Sequence, residues 1–148
     1  MKLLFGEHIW DVAQHADALG KRTFELRLPL QHSLPPADAY VDLLTDIAAI
    51  GLTPERIAAV YDVILPGLAR RYRRYLSETD TLLDAPTVRI LERWLFDWDR
   101  MLNASRKLRE ELGGLQLADP AWAEPLRARE AAIDDVIISE TAAAAVEA

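Results

Sequence analysis

His8, Asp11 and His15 stand three and four residues apart. On a helix that spacing puts their side chains on one stripe, with Glu7 beside it, so two imidazoles and a carboxylate can converge. Such a donor set suits zinc or non-haem iron. The competing reading is the polar flank of an amphipathic helix, and it is the favoured one, because a single helix rarely completes a metal site. Asp97, Asp99 and Glu92 supply carboxylates further along. An inward Asp97 pairs with His15 across a bundle, whereas Asp99 and Glu92 are expected to face solvent.

Two further clusters carry chemistry of other kinds. Arg70-Arg71-Tyr72-Arg73-Arg74-Tyr75 is the densest basic tract, four guanidiniums with two rings that suit phosphate and base contact. Acidic residues follow at Glu78, Asp80 and Asp84, and the whole chain carries a net charge of -7. A helix-end cluster paired with those carboxylates is therefore expected, with no nucleic-acid partner. Trp94, Trp98 and Met101 recur at helical spacing and read as core, or as the wall of an apolar cavity. Nucleophile elbows, phosphate loops, dinucleotide glycine motifs and H-E-x-x-H are absent from the sequence.

The elements that must position these residues are helical. Phe5, Ile9, Val12, Ala16, Leu19, Thr23 and Leu26 mark the expected inward face of a first long helix. The proline-dense stretch Arg27 to Pro36 reads as a loop. A second helix, Ala37 to Ile50, turns Tyr40, Leu43, Leu44 and Ile47 inward and stops at Gly51. A third opens at Thr53-Pro54-Glu55 with Thr53 as cap, runs through Ile57, Val60, Tyr61 and Ile64, and is disturbed at Pro66-Gly67 before continuing to about Leu76. A fourth is capped by Asp84 and carries the seam Leu91, Trp94, Trp98, Met101, Ser105, Leu108 and Leu112 until Gly113-Gly114. Asp119-Pro120 opens a shorter helix through Trp122, Leu126 and Ile133.

The fold class is all-α, an antiparallel helical bundle. With 148 residues, 51% of them hydrophobic, residues 1–140 suffice for one domain, and 141–148 read as a frayed tail. No cysteine is present, so disulfide frameworks and thiol catalysis are excluded. The apolar runs fall short of the ~20 residues of a membrane span, and no signal-peptide core follows Met1, so a cytoplasmic protein without a membrane partner is expected.

Two stretches resemble a known family. Trp10-Asp11-Val12-Ala13-Gln14-His15-Ala16-Asp17 is similar to the W-D-E-A-R-H-x-E helix of ferritin-like di-iron carboxylate proteins. Asp84-Ala85-Pro86-Thr87-Val88-Arg89-Ile90-Leu91, running on to Phe96-Asp97-Trp98-Asp99-Arg100-Met101, resembles the D-E-P-T-x-R-I-L … D-E-E-E-H helix of the same superfamily. The resemblance covers about a quarter of the chain and implies a ferritin-like bundle. It also implies a lost metal centre. The family's Glu-x-x-His ligands fall on Val12 and His15 in one helix and on Trp98 and Met101 in the other, so only His15 can ligate. The family's leading helix has no counterpart before Met1, and Glu25 offers no substitute ligand.

The sequence therefore points to a ferritin-like binding or structural module rather than to a named reaction. Its candidate ligand pocket is Val12, His15, Trp94, Trp98 and Met101, taking a small apolar ligand and no cofactor. An apolar face left by the absent leading helix predicts a homodimer. The alternative is a metalloenzyme of oxidoreductase type, with iron, manganese or zinc at His8, Asp11, His15 and Asp97.

Overall fold

Proline and the local hydrogen-bond ladder decide where the helices of this chain begin and bend. In the computed structural model, residues 2–27, 35–134 and 136–137 are described. The part of the expected loop at 28–34 and the tail at 141–148 lie outside these residues. The helices are α1 (Lys2–Glu25), α2 (Asp38–Ala49), α3 (Thr53–Ala58), α4 (Leu65–Glu78), α5 (Ala85–Glu111) and α6 (Glu124–Ala131). The described residues contain no strand, and one isolated bridge joins Pro36 to Ile137. The all-α class is thus observed. No helix of the described residues is long and apolar enough to cross a membrane.

The disturbance expected at Pro66 is a π-helical turn, Ala59–Ile64, set between α3 and α4. Proline has no N–H, so the Asp62 carbonyl loses the partner that an α-helix would have given it. Arg127 of α6 donates from Nε to that carbonyl at 3.3 Å. At the start of α3, Thr53 is not the cap: Leu52 holds that position, and no side chain caps the helix. Asp84 does stand at the cap position of α5, yet its carboxylate serves side chains instead of helix N–H groups. Pro120 and Pro125 split the last segment into a 3-10 turn, Pro120–Ala123, capped by Asp119, and then α6. That helix ends at Ala131, short of the expected Ile133.

The chain forms two compact units. One holds α1, α4 and α5, with both α1 and α4 packed on α5. Its core follows the expected seam through Leu91, Trp94, Trp98, Met101 and Ser105, after which Leu108 is half-buried and Leu112 is exposed. The other unit holds α2, α3, the π-helical turn and α6. Leu43, Ile47, Ile57, Ala58, Ala59 and Val63 are buried in it, while Leu44, expected inward, is exposed.

Candidate functional site

The first helix turns its polar stripe inward. His8 and His15 are buried, Asp11 and Arg22 are half-buried, and all four fall on one face. The apolar face expected to be inward is largely outside: Ile9 is 71% exposed and Val12 44%. The reason lies on α5, which runs antiparallel and offers a partner at each level. Arg100 donates from Nη1 to Glu7 Oε1 at 2.6 Å and from Nη2 to Asp11 Oδ2. His15 Nε2 lies 3.2 Å from Asp97 Oδ2, the pairing that the sequence suggested. Arg22 donates to Thr87 Oγ1 at 2.9 Å and to Asp84 Oδ1 at 3.1 Å. These partners at successive levels of α5 fix which face of α1 turns inward.

Rings complete the interior. His15 stacks on Trp94 with centroids 4.6 Å apart and 22° between planes, and meets Trp98 edge-on at 6.1 Å. Tyr72 of α4 stacks on Trp98 at 4.8 Å and 14°. Tyr72 lies within the basic tract in sequence, but its ring belongs to this cluster. The rest of that tract is drawn into the protein's own contacts. Arg74 bonds Glu78 at 3.0 Å, Tyr75 donates to Asp84 at 2.7 Å, and Arg73 lies 3.7 Å from Asp99. The pairing with Glu78 and Asp84 matches expectation; Asp80 instead accepts from the backbone of Leu82 and Leu83.

Beside the ring cluster, α1 and α5 leave a groove of about 480 Å³. From α1 it is lined by Trp10, Asp11, Gln14, His15, Asp17, Ala18 and Lys21, and from α5 by Ile90, Arg93, Trp94 and Asp97. Of the pocket read from sequence, His15 and Trp94 line this groove. Val12 is on the exposed side of α1, and Trp98 and Met101 are buried in the core. Gln14, Lys21 and Arg93 escaped sequence reasoning, since only the antiparallel register of α1 on α5 brings them to one place.

Electrostatics separate the groups around the groove. Asp17 and Lys21 pair with each other at 2.6 Å, and Asp11 is held by Arg100. Arg93 has no carboxylate in ion-pair range among the described residues. Nδ1 of His15 is buried without a hydrogen-bond partner among them. Burial is the main cause that pushes the pKa of neighbouring His8 below 6.5, with Arg100 adding to it and Glu7 and Asp11 opposing.

A di-iron centre does not fit these residues. Val12 faces outward, Trp98 and Met101 fill the interior, and the unpartnered Trp98 Nε1 is a donor that cannot ligate. Nor do His8, Asp11, His15 and Asp97 make a mononuclear site, because Asp11 is engaged by Arg100 and Asp97 by His15. No group of three metal-ligating side chains comes together among the described residues. Comparison with protein families, with characterised proteins and with solved structures finds no match to this chain.

Proposed function

We propose that the protein is a helical binding module: a ferritin-like bundle that has lost most di-iron ligands, takes a small molecule in the α1–α5 groove, and works as a homodimer. The groove carries this reading. Its wall holds the Arg93 guanidinium, which has no carboxylate in ion-pair range among the described residues, and the stacked rings of His15 and Trp94. An aromatic carboxylate answers both. That ligand is more polar than the apolar one expected from the seam, because seven of the lining residues are charged or polar. Support for the ferritin-like reading comes from α1 and α5, the two helices that carry the resembling stretches, packing against each other with His15 beside Trp98. Against it stands the outward Val12.

Isothermal titration with 4-hydroxybenzoate, benzoate and phenol tests the groove. Saturable binding of 4-hydroxybenzoate is expected, weakened about tenfold or more in Arg93→Ala, since a charge-assisted bond contributes ~1.5–3 kcal/mol. Absence of binding, or affinity unchanged in that variant, overturns the reading. Elemental analysis is the companion measurement. Stoichiometric iron, manganese or zinc that vanishes in His15→Ala would replace the binding module with the metalloenzyme.

A further inference from the structure

We infer that the outer face of α1 is the surface on which a second copy of this chain docks, helix against helix and antiparallel. The inference rests on the homodimer proposed above and names its interface. With the polar stripe turned onto α5, Leu3 is 91% exposed, Phe24 68% and Trp10 65%. These three stand at multiples of seven residues, the repeat that holds a seam on one side of a paired helix. Gly6, Ala13 and Gly20 recur at the same period three positions on, so bulky and small residues alternate along the seam. The space above Gly6 is open: a Cβ built there meets nothing within 4 Å.

The pattern is complementary to itself when reversed. In an antiparallel pair with a two-fold axis beside His15, Phe24 lies over Gly6 of the second copy and Trp10 over its Gly20. Phe24 then meets the open space above Gly6, Trp10 lies over a second glycine, and Leu3 stands at the end of the seam. Asp17, seven residues from both Trp10 and Phe24, falls within the seam opposite Ala13, where Lys21 already neutralises it. The same register sets Glu7 against Lys21 of the second copy, twice by symmetry, and both side chains are more than half exposed. On the other flank Ile9 and Ala16 close the seam. A parallel pair instead sets Trp10 against Trp10 and Glu7 against Glu7, wasting the glycine gaps and opposing like charges. This self-complementarity of size and charge selects a second copy over an unrelated partner.

The chain has no cysteine, so single cysteines report contacts cleanly. Sedimentation velocity of the full chain at micromolar concentration is expected to show a dimer. Gly6→Leu, which fills the gap from a position with open space and good helix propensity, is expected to keep its circular dichroism and sediment as a monomer. Ala13→Cys protein mixed with Asp17→Cys protein should form a disulfide-linked pair under mild oxidation, far faster than Ala13→Cys alone. A monomeric wild type ends both the homodimer and this interface. A dimer that survives Gly6→Leu ends the interface alone, and efficient self-linking of Ala13→Cys ends the antiparallel order.

Discussion

The two units bury different chemistry. Around α2, α3 and the π-helical turn the interior is mainly aliphatic, with Leu43, Ala58 and Ala59 wholly shielded, and Tyr61 and the carboxylate of Glu130 are buried with them. Around α5 it is polar and aromatic: His8, His15, Thr87 and Ser105 are buried beside Trp94 and Trp98. An aliphatic core is specified by area and volume and accepts many sequences of the right size. A core of paired polar groups depends on each partner being present, because a lone buried donor or acceptor costs about 1–3 kcal/mol. The second kind tolerates less change and offers more to a ligand.

Substitutions sharpen that contrast. Leu43→Ala should produce the largest loss, about 2–5 kcal/mol in chemical denaturation, as a cavity opens in the aliphatic core. Leu43→Met, which conserves volume, should cost less than ~1.5 kcal/mol. A smaller loss, about 1–3 kcal/mol, is expected for Asp97→Ala, which leaves the His15 imidazole without its partner and removes the carboxylate that fixes its ring. Asp97→Asn, which keeps an acceptor, should recover part of it. Equal losses in the last two variants would show that the carboxylate bond does not hold the imidazole.

Acid should reach the polar unit first. Burial holds His8 below its ordinary pKa of 6.5, so the unfolded chain binds a proton that the folded chain refuses. Stability is therefore complete above pH 6.5 and declines as pH falls below it. A second decline belongs to Asp84, which the Thr87 hydroxyl chiefly, then Tyr75 and Arg22, hold below 3.8. Its contribution is present above pH 3.8 and is lost as pH falls through the lowered folded value. Melting temperatures from pH 8 to pH 3 should show the first decline, and His8→Gln should remove it. A flat profile through pH 6 would leave the two units alike in this respect.

How much of this was legible in the sequence follows from the same contrast. Periodicity found the seam of α5, since Leu91, Trp94, Trp98 and Met101 meet neighbours through area alone. Periodicity misplaced α1, because its hydrophobic positions are not what α5 engages. The signal was a charge order: Glu7, Asp11, His15 and Arg22 read forward against Arg100, Asp97 and Asp84 read backward. Pairing His15 with Asp97 used one line of that order, and the remaining lines would have fixed the inward face. Capping failed at Asp84 for a related reason, since Arg22, Tyr75 and Thr87 compete for its oxygens more strongly than helix amides do. The groove was out of reach, as it depends on register between two helices about sixty residues apart.

One contact has an asymmetry of its own. Arg127 reaches a main-chain oxygen at Asp62 that became available because the residue four positions later is a proline. Any amino acid at position 62 presents that same oxygen, so the contact places no demand on the side chain there. Position 66 is different: every residue but proline restores an amide that competes for the acceptor. Hence the anchorage of α6 is encoded at a residue that Arg127 itself does not bond, and in drifting copies of this chain substitutions at 66 and 127 should travel together.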